Sequence, residues 1–104
     1  MMNLWDETIE ELNRHNLKWE DVDFAIVTDA FYVSKDDFET FAKRINYDEG
    51  FGLVVIDPRL KIVGDNWWLE RAEYDGKEWW EFKTMPSVAL PRGSVEGIKV
   101  PYDG

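Results

Sequence analysis

The sequence predicts an α+β domain, with two short helices packed on one face of a mostly antiparallel sheet of about four to five strands, ending in a Trp-rich β-hairpin. Three observations predict it. Apolar residues in the first half recur at helical spacing, residues after Gly52 form β-branched and alternating runs, and two tryptophan doublets flank an Asp-Gly turn signal. At 104 residues the chain has the size of one domain. Residues 1–86 are expected to form it, and residues 87–104, with two of the four prolines just after Pro86, an extended Pro/Gly-rich arm packed on it.

Helix one is expected from about Leu4 to Asn16, because Trp5, Ile9 and Leu12 recur at i, i+4 and i+7. Asn3 is its N-cap, Asp6 and Glu7 in the first turn and Arg14 in the last match the helix dipole, and Asn16 suits a left-handed ending. After the acidic "WEDVD", Phe24 to Val27 reads as a short buried strand, and "DAFYVS" extends it or forms a second, edge strand. Ser34-Lys35-Asp36-Asp37 fits a capping box. Phe38, Phe41, Ala42 and Ile45 then mark helix two, expected to end near Asn46 before "YDEGFG". "LVVI" from Leu53 to Ile56 suits a central strand, Asp57-Pro58 a turn, and "LKIVG" a further strand broken by Gly64-Asp65. In the arm, "VEGIKV" is a candidate edge strand.

Asp75-Gly76 between Trp67-Trp68 and Trp79-Trp80 signals a hairpin with two competing registers. A two-residue turn pairs Tyr74 with Lys77 and puts Trp67, Leu69, Trp80 and Phe82 on one face, with Trp68, Ala72, Tyr74 and Trp79 on the other. A three-residue bulged loop pairs Glu73 with Lys77 and puts Trp68 with Trp80 instead. Charge favours the bulged loop, since the two-residue register sets Glu73 opposite Glu78 and Glu70 opposite Glu81. In either register adjacent residues of a strand point to opposite sides, so each doublet sends one indole to each face. The outer face then carries Trp79, one of Trp67 and Trp68, and charged Lys77, Glu81 and Lys83, with lysine stems and Arg71 lying over the rings. That face is a recognition surface or a second, minor core covered by the arm through Val88, Leu90, Val95 and Ile98.

"NYDEGFG", "LKIVGDNWWLERAEYDGKEWWEFKTMP" and the upstream "SKDDFETFAKRINYD" resemble small uncharacterised proteins carried by phages and prophages of Gram-positive bacteria, in which a "WLER-EYDG-EWW" hairpin recurs. The similarity covers roughly residues 17–86 and attaches no activity or catalytic residue to the motif. It implies a setting, a bacterial cytoplasm and a role in phage–host interplay.

The net charge is −10, with thirteen acids against five bases in residues 1–50. Such a surface repels phosphate backbones and anionic membranes, so direct nucleic-acid binding is disfavoured, while a basic protein partner is compatible. The chain has no cysteine, which excludes disulfides and thiolate metal sites. No basic segment followed by an apolar stretch opens the chain and no apolar run reaches membrane length, so a cytoplasmic location with no membrane contact is expected.

Catalytic chemistry finds little support. His15, the single histidine, lies near the end of helix one in a polar context that suits a dipole partner. A triad would have to combine it with Ser34, Ser87 or Ser94, and no nucleophile elbow surrounds them. No phosphate loop or calcium loop is present, and neither a metal site nor a cofactor is expected. Glu70 and Glu81 beside tryptophans are the carboxylate pair to consider for glycosidase chemistry, but they read first as solubilising the outer hairpin face.

The expected function is therefore that of a non-enzymatic acidic interaction protein that binds a protein partner or itself. Trp67 or Trp68, Arg71, Trp79, Glu81 and Lys83 would serve on the hairpin, and Asp21, Asp23, Asp36, Asp37 and Glu39 on the acidic half. The alternative, from another class, is a small-ligand or carbohydrate binding module that uses the Trp-rich face.

Overall fold

The computed structural model describes residues 1–48 and 54–86. The expected arm and its "VEGIKV" strand lie outside the described residues. A two-residue strand β1 (Met2–Asn3) leads into helix α1 (Leu4–Arg14), and a 3-10 turn (Trp19–Asp21) leads into β2 (Val22–Thr28) and β3 (Phe31–Val33). Helix α2 (Lys35–Ala42), β4 (Asn46–Tyr47), β5 (Lys61–Gly64), β6 (Trp67–Tyr74) and β7 (Lys77–Thr84) follow. The main sheet has the antiparallel order β3-β2-β5-β6-β7, and β1 pairs with β4 in a separate ribbon. Both helices lie on one face of the main sheet, which makes the α+β architecture expected from the sequence.

The helix ends follow the local chemistry. Asn3 Oδ1 accepts from Asp6 N at 3.1 Å, while its Nδ2 donates to Lys43 O and Asn46 Oδ1, so one side chain caps α1 and ties the end of α2 to the ribbon. Asn16 has φ 59, the left-handed geometry that ends α1. Ser34 Oγ accepts from Asp37 N at 3.2 Å, the serine half of the expected capping box, and the reciprocal bond from Ser34 N to the Asp37 side chain is absent among the described residues. Helix α2 is shorter than its periodicity suggests and stops at Ala42, because Asn46 and Tyr47 are drawn into pairing with Asn3 and Met2. Phe41, expected on the apolar stripe, is 61% exposed.

The buried stripe of α1 is rotated from the expected one. Leu4, Glu7, Thr8, Glu11 and Leu12 face inward, whereas Trp5 and Ile9 pack at the border. Trp5 meets Trp19 edge-to-face at 4.8 Å, and Trp19 stacks on Phe38 at 5.6 Å. From the sheet, Ala25, Ile62, Leu69, Trp67 and Trp80 complete the core with Phe38 and Ala42 of α2.

"LVVI" is not a central strand. Among its described residues, Val54 and Val55 are exposed, and the N–H groups of Val55 and Ile56 donate to the Glu78 carboxylate and not to a ladder. Of the described residues 54–60, Ile56 and Leu60 reach the core, on either side of the Asp57-Pro58 turn, where Leu60 N donates to Asp57 O. The Arg59 guanidinium beside Asp57 pushes that carboxyl down to about 2.

The hairpin adopts the two-residue turn and not the bulged loop. Tyr74 pairs with Lys77, and Asp75 and Gly76 have φ 52 and 85, both positive as a type I′ turn requires. Glu73 does stand opposite Glu78 and Glu70 opposite Glu81, yet the repulsion that disfavours this register is relieved. Glu78 turns into the core onto Arg71, Glu70 accepts from Trp68 Nε1, and Glu81 pairs with Lys83 at 3.3 Å.

Candidate interaction face and its buried anchor

Alternation along β6 and β7 places Trp67, Leu69, Arg71, Glu78, Trp80 and Phe82 on the helix side and Trp68, Glu70, Ala72, Trp79 and Glu81 on the other. The doublets split as adjacent residues must. Trp80 is 3% exposed and Trp79 is 37% exposed; Trp67 is buried and Trp68 half-buried. Trp80 Nε1 donates to Thr8 Oγ1 at 3.0 Å, and Thr8 in turn donates to Leu4 O, so the inner indole has its polar edge satisfied. Trp67 stacks on Phe82 at 5.9 Å and lies over Gly64, where a Cβ would come within 2.1 Å of the indole. Trp67 thus belongs to the core and not to the outer face.

Arg71 also departs from expectation. It lies on the inner face with a side chain only 2% exposed, and no ring of the outer face is covered by it. Its Nη1 donates to Glu7 at 3.1 Å, while Nη2 donates to Glu78 at 3.1 Å and to Tyr47 Oη at 2.9 Å. Tyr47 Oη donates to Glu7 Oε1, and the guanidinium lies 4.7 Å over the Trp80 ring. Nε of Arg71 has no partner among the described residues. One cation, two carboxylates and a phenol therefore join α1, β4, β6 and β7, and through Glu78 they hold the chain at Val55 and Ile56.

Burial shapes the titration of this cluster. Desolvation raises the Glu7 carboxyl above its ordinary 4.5, against the lowering effects of Tyr47 and Arg71. Burial, with Glu7 as its acceptor, likewise pushes the Tyr47 phenol up. At Arg71 burial opposes the charge, but Glu7 and Tyr47 outweigh it and hold the guanidinium protonated. The sequence assigns Glu7 only to the helix dipole, gives Tyr47 no role, and treats Glu78 only as a surface charge opposite Glu73. The one local signal is that Glu7 and Glu11 share a face with Leu4, Thr8 and Leu12 at i, i+3 and i+4 spacings.

On the open side of the sheet, register places Tyr32 and Ile26, Phe24 and Val63, Trp68 and Lys83, and Ala72 and Trp79 side by side across neighbouring strands. Tyr74 at 76% and Tyr32 at 70% are the most exposed rings at its two ends. No described element covers this face.

The acidic candidates are spread along the chain. Asp36 and Asp37 are exposed in the first turn of α2, and Glu39 pairs with Lys43 at 2.7 Å. Asp21 Oδ2 accepts from Lys18 N, and Asp23 lines a cavity at the β2–β3 end of the open face. His15 stacks on Phe82 at 4.0 Å with Nε2 at 3.2 Å from Glu11 Oε1, placing it at the end of α1 as a packing and hydrogen-bonding residue. Among the described residues no group of three or more acidic or histidine side chains could hold a metal ion, and no helix is long and apolar enough to cross a membrane. Compared with known proteins, the chain matches no family model, no curated protein and no solved structure.

Proposed function

We propose that this chain is a non-enzymatic acidic interaction protein whose open sheet face binds a protein partner, in the cytoplasmic phage–host setting that the hairpin resemblance implies. The observation that carries the reading is the one-sided packing of the sheet. A five-stranded sheet with helices on one face presents Tyr32, Trp68, Tyr74 and Trp79 on the other, interleaved with Lys61, Glu70, Lys77, Glu81 and Lys83. Exposed aromatics ringed by charge are the composition of interaction hot spots and their rims. Trp68 and Trp79 are the anchors in this reading, with Glu81 and Lys83 at the rim, and Trp67 and Arg71 support the face from beneath.

Capture of partners from a Gram-positive bacterial lysate, alongside light-scattering measurement of the oligomeric state, tests this. A partner or a dimer formed by the wild type and lost in a Trp79→Ser, Tyr74→Ser double variant is the expected result. A partner kept by that variant and lost in Asp36→Asn, Asp37→Asn would move the site to α2. A monomer with no partner at low or high salt would contradict the reading.

A further inference from the structure

At the end of the open face farthest in strand order from the hairpin, Asp23, Phe24, Ile26, Asp29 and Tyr32 line an open cavity of about 450 Å³. The local sequence explains its shape. A register shift in β2 between Val22 and Phe24 leaves Asp23 exposed beside Phe24, and a second shift between Ile26 and Thr28 precedes the tight Asp29-Ala30 turn into β3. Phe24 and Tyr32 meet at 6.3 Å with their planes at 81°, so the cavity has two aromatic walls at nearly right angles, with Ile26 between them in the sheet. The Asp23 and Asp29 carboxylates are exposed at its edge, and no described hydrogen bond or ion pair engages either. Lys61, opposite Ile26 on β5, is the nearest cation in register; it does not line the cavity and stands across from Glu70 on its other side.

Aromatic faces attract a cation that has shed part of its water, and unpaired carboxylates at the same opening add directed hydrogen-bond acceptors. A compact ammonium makes little use of two flat ring walls. A guanidinium is planar, weakly hydrated, stacks on rings and donates in parallel to a carboxylate. We propose that this cavity is a site for an arginine side chain of a basic protein segment, with the guanidinium against Phe24 and Tyr32 and its N–H groups donating to Asp23 and Asp29. The proposal rests on the open face being an interaction surface, and it names the partner's chemistry at one end of that face.

The test uses N-acetyl-arginine amide as probe and its neutral isostere, N-acetyl-citrulline amide, as control, both titrated into the full chain and followed by backbone and side-chain NMR shifts. Saturable shifts centred on Phe24, Ile26, Asp29 and Tyr32 are expected for arginine, with a dissociation constant on the order of millimolar for so small a fragment. The citrulline analogue should bind at least about tenfold more weakly. Asp23→Asn with Asp29→Asn, or Tyr32→Ala at an exposed ring, should each weaken arginine binding by about tenfold. Equal shifts with arginine and citrulline, or no saturable shift at either, overturn the proposal. The wild-type contrast between the two probes decides even if a variant fails to fold. Loss of this site would leave the hairpin anchors to the Trp79 and Tyr74 variants, so the two readings fail separately.

Discussion

Arg71 shows how far a single residue can depart from its local reading. Strand alternation places it on the same side as Leu69 and Trp80, a position that its charge alone would assign to solvent. Its burial depends on Glu7, 64 residues away, and on Glu78 across the hairpin turn, and neither partner is visible in a local window. Arg71→Met removes the cation and leaves two inward carboxylates, so it should lower unfolding stability by about 3–5 kcal/mol, read from urea denaturation. Glu7 makes the cluster sensitive to pH. Its pKa in the fold is raised, so the native state binds more protons than the unfolded chain between the ordinary 4.5 and the raised value. Its contribution to stability is therefore fully present below that window and is lost as pH rises through it. Denaturation of the wild type and of Glu7→Gln at several pH values should show the wild type gaining relative to the variant on acidification from neutrality. A difference independent of pH would contradict the shift.

Elements were legible where their signals are local. The two caps, the left-handed Asn16, the Asp57-Pro58 turn, the "LKIVG" strand and the hairpin itself follow from residues within a few positions of one another. "LVVI" failed because an apolar β-branched run says nothing about which acceptor will take its N–H groups, and here the Glu78 carboxylate does. The hairpin register departs from the charge-based expectation for a related reason. Counting charges across the ladder presumes that both partners stay on the surface, and Glu78 leaves it for Arg71. The β5–β6 connection illustrates a constraint invisible in sequence, since Asn66 takes φ 66 and folds the Trp67 indole over Gly64. Gly64→Ala should displace that ring and cost about 1–3 kcal/mol in thermal or urea unfolding. An unchanged stability would mean that the ring does not seat there.

For the whole molecule, the division of the tryptophan doublets between two faces was readable in advance, because it needs only strand geometry. Which of Trp67 and Trp68 faces outward was not, since that turned on the register. The asymmetry it creates, helices on one side and open aromatics on the other, is the basis of the functional reading. It is tested most directly by labelling all six tryptophans with 5-fluorotryptophan and adding a soluble paramagnetic agent. The fluorine resonance of Trp79 should broaden strongly and that of Trp68 partially, while Trp67 and Trp80 stay sharp, each assigned by Trp→Phe replacement. Protection of Trp79 equal to that of Trp80 would mean the face is covered in the folded chain, and the interaction surface with it.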